Sequence, residues 1–112
     1  MEDLLRSIQN NSCVPILDLG YRKLKDDGAG AVARALETNT TIYDLDLWNN
    51  KIGRIGGVAI ARVLERNTTL ETLSLWNNRL GRFGGVAVAD ALEKNSTLTK
   101  LNLRNNQLLE GA

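Results

Sequence analysis

The sequence predicts an α/β solenoid, a row of short parallel strands each followed by a helix, with every helix on the same side of the sheet. Three observations lead there. A period of 28 residues runs through the chain, with leucine pairs at Leu17/Leu19, Leu45/Leu47, Leu73/Leu75 and Leu101/Leu103. Around each pair apolar and outward residues alternate, the period of a strand. Further on, apolar and small residues recur at i, i+3, i+4 and i+7, one face of a helix. Strand then helix, repeated in tandem, requires parallel strands with crossovers on one side.

Each element follows in order. Met1, Leu4, Leu5 and Ile8 lie 28 residues before the first full helix face. Residues 2–10 are therefore predicted to be the helix half of a repeat that lacks its strand. The first full unit pairs Leu17/Leu19 with the face Ala29, Val32, Ala33 and Leu36. In the second, Leu45 and Leu47 point inward, Asp44, Asp46 and Trp48 point outward, and Gly57, Ile60, Ala61 and Leu64 form the helix face. The third carries Leu73/Leu75 and Gly85, Val88, Ala89 and Leu92. The fourth has its strand, then "NNQLLEGA". Val14, Ile42, Leu70 and Leu98 precede the pairs, and Leu24, Ile52, Leu80 and Leu108 follow them. Units 45–72 and 73–100 are identical at 17 of 28 positions. Gly28, Gly56 and Gly84 are expected to open the helices and to let them approach the strand layer. Ala31, Ala59 and Ala87 are expected to let neighbouring helices pack closely. Residues 1–112 are thus expected to form one domain: a half repeat (1–16), three full repeats (17–44, 45–72, 73–100) and a truncated one (101–112).

Composition excludes several functions. Fourteen Lys and Arg stand against 13 Asp and Glu, which argues against general electrostatic binding to nucleic acid or membrane. The absence of histidine removes the commonest general base, the His-paired nucleophiles and nearly all zinc sites. Cys13 is the single cysteine, so no intrachain disulfide forms, and nothing suggests a partner that would activate it. It shares a column with Thr41, Thr69 and Thr97 and is expected to be a small buried or half-buried residue. No apolar run approaches a membrane span, and "MEDLLRSIQ" is acidic where a signal peptide is basic. The expectation is a cytoplasmic, non-catalytic protein without cofactor or metal. "GRIGG" and "GRFGG" lack the Lys-Ser/Thr tail of a phosphate loop and the spacing of a dinucleotide site. The glycosylation-like triplets at Asn39, Asn67 and Asn95 belong to the repeat's closing turn; a fourth lies at Asn10.

The pattern LxxLxLxxN/CxL, followed by a helix and a closing "NTTI", "NTTL" or "NSTL", resembles the leucine-rich repeat family. The length and helical second half are similar to its ribonuclease-inhibitor-like class. The resemblance covers essentially the whole chain. It implies a right-handed superhelix with about four strands on a concave sheet, helices on the convex side, and a concave face that binds proteins. It further implies that Asn50, Asn78 and Asn106 form a ladder whose side-chain amides bond the backbone where each strand turns away. The first unit departs from this, with Arg22 in the ladder position.

Stacked repeats bring equivalent outward residues into columns about 4.8 Å apart. One is Ile16, Asp44, Thr72 and Lys100. The central one is Asp18, Asp46, Ser74 and Asn102. The third is Gly20, Trp48, Trp76 and Arg104, with Tyr21 beside it in a column continued by Asn49, Asn77 and Asn105. Sheet stability alone could use Val or Thr in place of Trp48 and Trp76, whereas Trp, Tyr and Arg are enriched at binding hot spots. Trp48 and Trp76 are therefore the candidate anchors for a protein partner. Arg104, Tyr21, Asp18, Asp44, Asp46, Ser74 and Asn102 line the same candidate site. The other reading is cross-strand stacking that only stabilises the sheet. The loops after the strands carry a basic column, Lys23, Lys51 and Arg79, and a second at Arg54 and Arg82. These form either a solvated rim or a docking edge for an acidic partner. Helix charges such as Asp90 with Lys94, and Arg62 with Glu65 or Arg66, are expected to form an ordinary solvated face.

Two further expectations concern assembly. Leu101, Leu103, Leu108 and Leu109 have no helix of their own, and the edge of strand 100–103 offers unpaired backbone groups. A homodimer through this end, or through the Trp patch, is expected. The alternative to a self-contained binding module is a fragment of a longer leucine-rich repeat regulator, of the GTPase-activating or innate-sensor type.

Overall fold

The 28-residue period becomes strand register. In the computed structural model, which describes residues 1–108, four parallel strands lie in the order β1-β2-β3-β4. They are β1 (Ile16–Asp18), β2 (Asp44–Asp46), β3 (Thr72–Ser74) and β4 (Lys100–Asn102), and they alternate with α1 (Glu2–Gln9), α2 (Lys25–Leu36), α3 (Arg54–Leu64) and α4 (Gly81–Leu92). Leu17 pairs with Leu45, Leu45 with Leu73 and Leu73 with Leu101, so equivalent residues of successive units sit side by side. The backbone ladder runs past the three-residue strands. The N–H groups of Leu19, Leu47 and Leu75 donate to Asp46, Ser74 and Asn102, each at 2.8 Å.

The leucines supply the core. Leu19, Leu45, Leu47, Leu73 and Leu75 are fully buried, together with Ile8, Ile42, Ile52, Ile60, Leu64, Leu70 and Leu80. Each such side chain contributes about 1.5–3 kcal/mol through burial. Leu98, Leu101, Leu103 and Leu108 in the last unit are only half-buried. Leu109 lies outside the described residues.

Two helix expectations change. The helices begin at Lys25, Arg54 and Gly81, so Gly28, Gly56 and Gly84 lie within them rather than at their openings. Their lack of a side chain is used against the loop before each helix and against the preceding helix, not the strand layer. A Cβ on Gly56 would lie 2.7 Å from Ile52 Cγ2, 2.8 Å from Asp26 Oδ1 and 3.0 Å from Ala29 Cβ. The helix face of the third unit is also only partly buried. Ala33 and Ala61 are covered, but the equivalent Ala89 is exposed, because no helix packs beyond α4 among the described residues. On the surface, Lys94 reaches Glu65 of the neighbouring unit at 3.8 Å rather than Asp90.

Asparagines tie the units together. Asn78 Nδ2 donates to the carbonyls of Leu47, Leu75 and Trp76, while its Oδ1 accepts from the N–H groups of Asn50 and Ile52. Asn50 bonds Leu19, Leu47, Trp48, Arg22 and Leu24 in the same way. Asn106 donates to Leu75, Leu103 and Arg104 and accepts from Leu80. Each amide thus serves its own turn and that of the unit before it. This explains Arg22. Among the described residues no strand precedes β1, so an asparagine there would have no earlier strand turn to hold. Arg22 is exposed, and its own N–H is taken by Asn50.

A second set works at the helix exits. Asn39, Asn67 and Asn95 accept from the backbone N–H groups two and three residues on. Asn39 also donates to Ile8 O, and Asn95 to Leu64 O. These turns use the asparagine amides structurally, and Asn39 is buried.

Asn78→Ala removes five bonds to buried or half-buried backbone groups and is expected to cost about 2–4 kcal/mol. Arg22→Ala, at the equivalent position, is expected to change stability by no more than about 0.5 kcal/mol. Urea unfolding of the two variants measures the contrast.

Candidate partner-binding face

The open side of the sheet carries three columns, and the central one organises the third. Asp18 Oδ1 accepts from Gly20 N–H at 2.8 Å and Asp46 Oδ1 from Trp48 N–H at 3.0 Å. Ser74 Oγ accepts from Trp76 N–H at 3.3 Å, and Asn102 Oδ1 from Arg104 N–H at 3.0 Å. All four units therefore place a short acceptor two residues before the third column, the local turn that Asp, Asn and Ser form readily. These side chains position the backbone that carries the aromatic residues, a role the sequence reading did not assign to them.

The aromatic residues form a ladder. Trp48 and Trp76 stack with centroids 5.7 Å apart and planes at 29°. Tyr21 meets the other side of Trp48 edge-on, at 5.5 Å and 65°. Such pairs contribute about 0.5–1.5 kcal/mol beyond simple burial.

The two tryptophans are not equivalent. Trp48 is half-buried, and its Nε1 donates to Asp18 Oδ1 at 3.1 Å. Its indole occupies the space a side chain would need at Gly20, where any Cβ would collide with the ring. Trp48 is thus docked against the first unit, and Trp76 remains 40% exposed. Gly20 is the residue that sequence reasoning missed. The available signal was its place in the column, a glycine where the next two units carry Trp.

Tyr21 is 70% exposed and holds φ of +60°, in a column where Asn49, Asn77 and Asn105 have φ of +53°, +59° and +60°. Asparagine enters this left-handed region readily, whereas a bulky residue is strained there. In the later units Asn105 Nδ2 donates to Asn77 Oδ1 at 2.7 Å, so that column ends in an amide pair. Arg104 is exposed at the far end of the third column.

The acidic residues cluster at the first two strands. Asp18 and Asp46 are register partners, and Asp44 precedes Asp46 by two on the same face. Burial raises the Asp46 carboxyl above its ordinary value, and the Asp18 and Asp44 charges add to this. Hydrogen bonds from Trp48 N–H and from Ser74 oppose the shift. Away from this face, Cys13 is half-buried, and burial pushes its thiol up, away from the reactive thiolate. Among the described residues no three Cys, Asp or Glu side chains gather to hold a metal ion, and no helix is long and apolar enough to cross a membrane.

This geometry defines a repeat protein with an open, aromatic sheet face. Residues 38–61 and 94–111 match the family profile described as Leucine Rich repeat. The chain has the leucine-rich repeat fold. It is similar to a solved structure described as Leiomodin-1 Actin-Binding Site 2, with a TM-score of 0.88 and 27% identity, over 95% of this chain and 62% of that one. It is also similar to the tropomodulin C-terminal domain from Caenorhabditis elegans, with a TM-score of 0.84 over 95% of this chain and 65% of that one. At 12% identity the second likeness speaks to the fold alone. The chain thus spans less than two thirds of either structure. No curated protein matches it in sequence.

Gly20→Ala is expected to displace the Trp48 indole and abolish the exciton signal of the Trp48–Trp76 stack in circular dichroism. A retained signal would place the ring elsewhere. The raised Asp46 pKa also predicts a pH dependence. The folded state holds this proton more tightly than the unfolded chain, so the Asp46 contribution favours folding at acid pH. It is lost as pH rises from the ordinary carboxylate value through the folded one. Asp46→Asn keeps the acceptor for Trp48 N–H and removes the charge. It is expected to gain stability relative to the parent at neutral pH, with the difference shrinking toward pH 3, as read by thermal melts.

Proposed function

We propose that this chain is a non-catalytic protein-binding module of the ribonuclease-inhibitor-like class, which takes a protein partner on its open sheet face. The observation that carries the reading is the aromatic ladder. Tyr21 and Trp76 offer exposed ring area on either side of Trp48, which is held by Asp18 and seated over Gly20. Preorganised aromatic rings lose little entropy on binding and are the side chains most enriched at interface hot spots. Trp48 and Trp76 are the anchors. Arg104, Asp18, Asp44, Asp46, Ser74 and Asn102 form the polar surround. The absence of histidine and the raised Cys13 thiol support a binding role over a catalytic one.

The likeness to leiomodin-1's actin-binding site 2 makes actin the first protein to test. The second reading is self-association. The last strand leaves an edge that no other strand pairs among the described residues, and Leu101 and Leu103 behind it are half-buried.

Trp76→Ala is expected to weaken partner binding about tenfold or more while leaving the fold intact, since the ring lies at the surface. Binding to actin, followed by co-sedimentation and anisotropy, is the direct measurement; unchanged affinity would reduce the ladder to a structural role. Light scattering across a concentration series separates the second reading. Mass doubling that Trp76→Ala leaves in place belongs to the β4 edge, and a constant monomer mass discards self-association.

A further inference from the structure

The helix layer carries a second surface, distinct from the sheet face. Ile55 and Phe83 occupy equivalent positions in the first turns of α3 and α4, and they are 67% and 64% exposed. One turn on, at equivalent positions again, stand Val58, half-buried, and Val86, exposed. Residues three apart are neighbours on a helix surface. The four side chains therefore tile one apolar patch across two packed helices. The packing is close: a Cβ on Gly84 of α4 would lie 3.4 Å from the Cα of Arg54 in α3. The equivalent positions in α2 are Asp27 and Gly30, so the patch belongs to these two units only.

The charges beside the patch are arranged against their own helices. A helix N-terminus carries partial positive charge and favours acidic side chains. α1 and α2 comply, with Glu2 and Asp3, and Asp26 and Asp27, in their first turns. The first turns of α3 and α4 contain no acidic residue. They carry Arg54 and Arg82 instead, both exposed. Asp26 of α2 relieves α3 by accepting from Gly53 and Gly56 N–H at 2.7 and 2.9 Å. At α4 the residue equivalent to Asp26 is Arg54, so a cation stands where a carboxylate would. Arg62 lies two turns further along α3, and Lys51 and Arg79 lie in the adjoining loops. None of these cations is in an ion pair among the described residues. The nearest carboxylate, Asp26, is committed to the Gly53 and Gly56 N–H groups, and Asp27 on α2 and Asp90, one turn beyond Val86, lie at the margins.

We propose that this face docks an acidic amphipathic segment of a partner protein. Its apolar side chains cover Ile55, Phe83, Val58 and Val86, and its carboxylates meet Arg54 and Arg82. An anion there would gain from both guanidinium groups and from the positive end of α4. The surface is independent of the aromatic ladder, so the two proposals stand or fall separately.

The test uses the full chain and a fluorescein-labelled helical peptide with leucines at i, i+3, i+4 and i+7 and glutamates elsewhere, followed by anisotropy. A peptide with Lys in place of Glu and a scrambled Glu/Leu peptide serve as controls. The expected result is binding of the Glu peptide only, weakened about tenfold or more by Arg54→Glu with Arg82→Glu and by Phe83→Ser. The affinity should fall as salt rises, and Trp76→Ala should leave it unchanged. These side chains are exposed, and thermal melts confirm that each variant is folded. Equal binding of the Glu and Lys peptides overturns the proposal, as does an affinity indifferent to Phe83→Ser or no binding at high micromolar concentration. Sedimentation with phosphatidylserine vesicles that Phe83→Ser abolishes, without peptide binding, reassigns the face to an anionic membrane. A dimer dissolved by Phe83→Ser reassigns it to a second copy of the chain.

Discussion

Among the described residues, each turn that leads from a strand into a helix rests on a side-chain amide from the unit that follows. A strand that bends away from its sheet leaves backbone donors and acceptors without partners, and burying them unpaired costs about as much as losing a hydrogen bond each. Asn50, Asn78 and Asn106 meet that demand with one carboxamide per unit, donating to carbonyls on both sides of the unit boundary and accepting from N–H groups of the unit before. The geometry works only when successive units are in register. The leucine columns, the backbone ladder and the outward columns all inherit that constraint. The units are therefore coupled neighbour to neighbour, as expected of a one-dimensional array.

The same strict stacking produces the aromatic face. Side chains that repeat at one position are placed side by side whatever their chemistry, so two tryptophans must stack and two aspartates must crowd. The protein uses the first and tolerates the second. Asp18 and Asp46 hold the turns of the third column, and Asp18 also holds the Trp48 indole. The carboxylates thus hold these turns at a cost, since burial first, and then the Asp18 and Asp44 charges, raise the Asp46 pKa. Tyr21 shows a similar exchange. It accepts a backbone conformation better suited to the asparagines that follow it, and it extends the ladder by meeting Trp48 edge-on.

Two surfaces result, with different chemistry. The sheet face is aromatic with carboxylates at its start, and the outer face of α3 and α4 is apolar with arginines beside it. The two units that are most alike in sequence, 45–72 and 73–100, supply both tryptophans and both halves of the apolar helix patch. Repetition of a unit duplicates everything that points outward, so a weak contact in one unit becomes a broad surface in two.

The period of 28, the strand and helix halves and the columns were legible in the sequence, because burial recurs locally in every unit and does not depend on distant partners. The pairing of Trp48 with Trp76 followed from that register alone. How each side chain is held depends on the folded chain. Trp48 lies over Gly20 and donates to Asp18, residues 28 and 30 positions earlier, and nothing local to Trp48 distinguishes it from Trp76. The capping of α3 by Asp26 of the previous helix was hidden for the same reason. So was the apolar patch of Ile55, Val58, Phe83 and Val86: a helical stripe shows that one face is buried, but which of the remaining positions meet solvent depends on the neighbouring helix. Which residues share a column could be read from the sequence alone, because that depends on spacing. The tertiary structure decided which of them are free to meet a partner, because that depends on the shape left vacant by the unit next door.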